Sequence, residues 1–158
     1  MDDLVPRWVR IGVGIALAPP QLLTGLWAVF ATRSWFDDFP GLGAALVAAE
    51  PPFNVHLATD AGGGFLATGV ALAAAALLAR RSAVCVALLA YLSLAVPHLA
   101  YHAAHPAPGL SGTAHAVNLA MLSSGVAIAV ILGWGTRSSD GARDRAPARI
   151  STPSRSSA

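Results

Sequence analysis

The chain has 158 residues, of which only 10 are basic and 8 acidic, while 55% are hydrophobic. A charged fraction of 11% is less than half the roughly 25% of soluble domains, so there is too little polar surface to clothe a soluble core. The same apolar content excludes disorder over most of the chain, and the lone Cys85 excludes a disulfide framework. What remains is an all-α integral membrane protein of one small domain.

A helix needs about 20 apolar residues to cross a bilayer. The first such stretch, about 11–31, carries no formal charge between Arg10 and Arg33. A secretory signal peptide would have a shorter apolar core, about 7–15 residues, and a small-residue cleavage site. Phe30-Ala31-Thr32-Arg33 is a poor site, so the helix is read as retained. Pro19 and Pro20 interrupt it. Each removes a backbone donor, which leaves the carbonyls of Ile15 and Ala16 in need of partners. Gln21 and Thr24 follow on one face. A kink patched by local side chains is preferred here over a polar lining.

The first outer loop, about Thr32 to Asn54, holds Arg33, Asp37, Asp38 and Glu50. Gly41–Ala49 is expected to form a short interfacial helix, anchored by Trp35, Phe36 and Phe39. The second span, about 55–79, carries His56 and Asp60 near its start and ends at Arg80-Arg81. Gly62-Gly63-Gly64 marks close backbone approach or a local break.

From Ser82 to Thr136 there is no Lys, Arg, Asp or Glu, a stretch too long for one helix. The Pro- and Gly-rich segment His105–Gly112 divides it, giving a third span at about 83–103 and a fourth at about 113–135. The spans together make a four-helix bundle over 1–135. The Ser-, Arg- and Pro-rich tail, 136–158, is too poor in apolar area to order itself.

Orientation follows from the arginines, because positive loops stay in the cytoplasm. Arg7, Arg10, Arg80, Arg81, Arg137, Arg143, Arg145, Arg149 and Arg155 share one side, and Arg33 lies on the other. Both termini are then cytoplasmic, in a multi-pass protein of the plasma (inner) membrane. Trp8 and Trp134 fall at the inner boundary; Trp27, Phe30, Trp35, Phe36, Phe39 and Phe53 gather at the outer one. The lipid bilayer is the expected partner. Nucleic acid is not, since no folded basic face with reading elements is present. Small-residue ridges at Ala67, Ala71, Ala75 and Ala79, and at Gly125, Ala129 and Gly133, read as helix seams, within the chain or in a homo- or hetero-oligomer.

All five histidines fall on the outer side. At 100° per residue, His98, His102 and His105 share an arc of about 60°. His56 and Asp60 share a face by the i, i+4 rule, and Asn118 lies near the face of His115. A carboxylate inside a span costs roughly 2.5–3.5 kcal/mol unless compensated, so Asp60 needs a partner: Arg33, His98 or His102. Arg33, Asn54 and Asn118 are read as parts of a structural polar network, the reading preferred over a chemical site. The chemical alternative is a metal centre of His56, Asp60, His98, His102 and His115. It would hold zinc, copper or a haem between axial histidines, or pass protons.

The blocks Trp35-Phe36-Asp37-Asp38-Phe39-Pro40-Gly41, Pro52-Phe53-Asn54-Val55-His56-Leu57-Ala58-Thr59-Asp60-Ala61-Gly62 and Pro97-His98-Leu99-Ala100-Tyr101-His102 resemble those of small four-span membrane proteins of actinobacteria. In layout the chain is loosely similar to DoxX-type proteins. The resemblance covers about residues 34 to 135. It implies a four-span fold and gives weight to the His and Asp blocks, but it implies no reaction. Val55 and Thr59 stand where such proteins often carry charge. The expectation taken forward is a non-enzymatic accessory or lipid-interacting component with no assured cofactor. The alternative is an outer-face metal or haem site for redox or hydrolytic chemistry.

Overall fold

A computed structural model of the protein describes residues 3–43 and 45–137. Four helices are long and apolar enough to cross a membrane: α1 (Arg7–Phe30), α3 (Val55–Leu78), α4 (Arg81–Ala104) and α5 (Gly112–Arg137). A short helix, α2 (Thr32–Asp38), follows α1 at the end of the bundle remote from Arg7, termed outer for its place in the bundle only. The chain is an all-α, multi-pass membrane protein, as its charge gaps predict. The fourth helix runs on through Thr136 and Arg137; the rest of the expected tail lies outside the described residues.

Each helix neighbours two others, in the cyclic order α1, α3, α4, α5. The seam between α1 and α3 is the closest. A Cβ on Gly25 would strike the backbone of Leu66, one on Gly62 would lie 2.7 Å from the Ala28 Cβ, and one on Gly69 would lie 2.8 Å from the Leu22 nitrogen. Lipid gives helices no hydrophobic reason to associate, so backbone approach of this kind supplies the dispersion contact that holds them. The glycine run does not break α3, which is continuous. Gly62 faces Ala28, while Gly63 and Gly64 face open space. In α5, Gly125 and Gly133 meet Tyr91 and Leu88 of α4, and Ala129 is fully buried. Of the predicted ridge on the second span, Ala75 and, just past the end of α3, Ala79 are buried, but Ala67 is exposed.

Gly12–Leu17 of α1 winds as a π-helix, with α-helix resuming at Ala18. Pro19 and Pro20 lie just beyond it and offer no N–H, so the preceding carbonyls lose their ordinary partners. A wider turn is one way a helix absorbs that loss, and such turns recur at functional sites. The polar lining set aside in favour of a kink is present, since Gln21 and Thr24 line a cavity described below.

Local side-chain bonds set the outer loop. Arg33 Nε donates to Asp37 Oδ2 at 2.6 Å and Ser34 Oγ to Asp38 Oδ2 at 3.0 Å, stitching α2 at i, i+4 spacing. The helix therefore forms there and not at Gly41–Ala49, where Gly41 and Gly43 take positive φ and Leu46–Ala49 makes only a turn. Asn54 caps α3 by accepting from the Leu57 N–H at 3.1 Å.

Two cores result. The inner one packs Val9, Val13 and Leu17 against Leu72, Val84, Leu88 and Leu132. The outer one sets Trp35 on Ala28 and Ala58 beneath Trp27, Phe36, Phe39 and Phe53. Contacts between α1 and α5 lie along Arg7–Leu17. Beyond that point the two helices part, and the bundle is hollow between its cores.

Candidate functional site

The hollow is a cavity of about 670 Å³, within the roughly 300–1,000 Å³ of small-molecule sites. All four long helices and the outer loop line it. Leu17, Leu94, Leu122 and Ile128 supply apolar depth, and Trp35, Phe39, Leu46, Val47 and Glu50 cover it from the loop. Ala16 and Pro20 of α1, and Met121 and Ser124 of α5, both line the cavity and are exposed. An opening thus lies in the gap where α1 and α5 diverge, and Ala61 of α3 and Tyr101 of α4 form a second exposed part of the lining.

Polar groups are few and convergent. Gln21, Thr24, His98, His102, Asn118 and Glu50 line the cavity. Trp35 Nε1, Gln21 Oε1 and Glu50 Oε1 are buried with no hydrogen-bond partner among the described residues. A buried orphan of this kind costs about 1–3 kcal/mol. Three of them line one cavity and could serve a small molecule there. The imidazoles of His98 and His102 lie 4.8 Å apart between ring centres, with Phe65 edge-on to His98 at 6.1 Å.

The remaining predicted site residues lie elsewhere. His56 Nε2 sits 3.4 Å from Asp60 Oδ2, and both side chains are mostly exposed, at 79% and 63%. Asp60 therefore finds its partner in His56, one turn back, and not in Arg33, His98 or His102. Arg33 is held by Asp37 and lies over Phe53, 5.0 Å from the ring centre. His105 stacks on Tyr101 at 4.6 Å outside the cavity. His115 is half-buried, and its Nδ1 has no partner among the described residues. His56, Asp60 and His115 thus do not join the His98–His102 pair, and among the described residues no three His, Cys, Asp or Glu gather around one point.

Sequence reasoning singled out Gln21, Thr24, His98, His102 and Asn118, which do line the cavity. It missed Trp35 and Glu50 as site residues, treating the first as a membrane anchor and the second as one more loop acid. The available signal for Glu50 was its setting. It is flanked by Ala48-Ala49 and Pro51-Pro52, an apolar surround that a solvated loop acid does not need.

Comparison with protein-family models, curated proteins and solved structures finds no match.

Proposed function

We propose that this is a non-enzymatic, lipid-interacting accessory protein of the plasma membrane, with both termini cytoplasmic, that holds a membrane-dissolved amphiphile. The observation that carries this reading is the cavity between diverging α1 and α5. Its exposed margin of Ala16, Pro20, Met121 and Ser124 lies within two membrane-crossing helices. A ligand could enter sideways from the acyl chains, bury its tail against Leu94 and Leu122, and place its head beneath Trp35 and Glu50.

Protein purified in mild detergent and examined by native mass spectrometry should retain a bound amphiphile at near one per chain. Ala95→Phe, which adds a ring to a cavity wall, should displace it. Equal retention by both proteins would refute the reading. Orientation has its own test. A cysteine placed at Ser154, in a Cys85→Ala background, should resist a membrane-impermeant maleimide in intact cells and react after lysis. Labelling in intact cells would reverse the assignment of sides.

The closeness of His98 and His102 supports a second reading, in which a metal ion or haem is held at that pair. Stoichiometric metal or a Soret band in the purified protein, lost in His98→Ala, would favour it over the amphiphile.

A further inference from the structure

Resting on the amphiphile reading, we propose that the cavity is selective for a protonated lipophilic amine. Glu50 is the one Asp, Glu, Lys or Arg among the described lining residues. Its Oε1 is buried and accepts no hydrogen bond from the described residues. Arg33, the cation of the same loop, is engaged by Asp37 at 2.6 Å, and no ion pair to Glu50 is present among the described residues. Glu50 is half-buried, with one carboxylate oxygen withdrawn from water and no counter-charge beside it among the described residues, an unfavourable setting. A bound cation relieves it, and in an apolar cavity the pairing is stronger than in water.

The other orphan acceptor, Gln21 Oε1, lines the same cavity. A protonated amine carries several N–H donors, which suits a cavity lined by unpartnered acceptors. Trp35, Phe39 and Tyr101 add aromatic faces, which attract cations. A phosphate- or carboxylate-headed lipid would instead meet Glu50 with no Arg or Lys among the described lining residues to offset the repulsion. The loop position of Glu50 also places the head at the outer end of the bundle and leaves the apolar depth to the tail.

The test compares three probes of equal tail length: decylamine, decanol and decanoate. Each is titrated at pH 7 against the full chain in phosphatidylcholine nanodiscs, with tryptophan fluorescence as the signal and Ala95→Phe as the background. Decylamine should saturate with a Kd at least tenfold below that of decanol, and decanoate should not saturate. Glu50→Gln should erase the decylamine advantage over decanol, with an unchanged circular dichroism spectrum and melting curve showing that the variant is folded. Gln21→Leu should weaken decylamine more than decanol. Equal Kd values for decylamine and decanol, unmoved by Glu50→Gln, would overturn the amine assignment and leave the amphiphile reading standing. Saturation by none of the three would overturn both.

Discussion

Gly25→Leu should pull α1 and α3 apart and lower stability by about 1–3 kcal/mol, the range for overpacking. The upper part of that range applies because the obstacle is the backbone of Leu66 and not the yielding end of a side chain. The contact is also hard to replace, since lipid does not press the separated helices together again. Gly63→Leu is the matched control. A Cβ there meets nothing within 4 Å, so the change should be neutral or slightly stabilising through helix propensity. Unfolding in mixed detergent and dodecyl sulfate micelles, followed by circular dichroism, reads both variants. Equal loss in the two would mean that close approach at Gly25 does not hold the seam.

Trp35 should divide stability from binding. Its side chain is 6% exposed and packs beside Phe39, with ring centres 6.1 Å apart. Trp35→Ala removes that mass and should cost about 3–5 kcal/mol. The indole Nε1–H has no acceptor among the described residues. Trp35→Phe deletes this orphan and keeps much of the ring, so it should be far milder in stability than Trp35→Ala. Retention should nevertheless fall for an amphiphile whose head carries an acceptor, such as a hydroxyl, beside its amine, since an ammonium alone has no lone pair for the N–H. A Trp35→Phe protein that unfolds as readily as Trp35→Ala would show that the N–H is satisfied within the fold.

The spans were legible because charge is so scarce. Arg10, Arg33, Arg80-Arg81 and Arg137 bracket them, and the observed helices begin and end within a few residues of those marks. Rotation about each helix axis was not legible. These helices are apolar on nearly every side, as lipid requires, so no hydrophobic stripe says which face turns inward. Asp60 shows the consequence. Its spacing from His56 was clear, and the pair forms, but on a face turned away from the cavity. His98 and His102, at the same spacing in α4, face inward. Glu50 depended on the path of a loop, which is fixed by the seating of Trp35 and Phe39 on α1 and α3, contacts remote in sequence.

The two ends of the bundle are built differently. At the inner end, Val5 N–H donates to the Ala79 carbonyl at 2.9 Å and Arg81 N–H to that of Asp3 at 3.0 Å, so the N-terminal segment is laced to the tight link between α3 and α4. Ala79 holds φ at 53° there, a conformation that side chains other than glycine's seldom adopt. Trp8 also lies against Gly135, fastening α1 to α5 at the same level. The outer end has no such lacing between α1 and α5 among the described residues. The molecule is thus fastened at one end and parted between α1 and α5 at the other. That gap is where lateral pressure from surrounding lipid would act first.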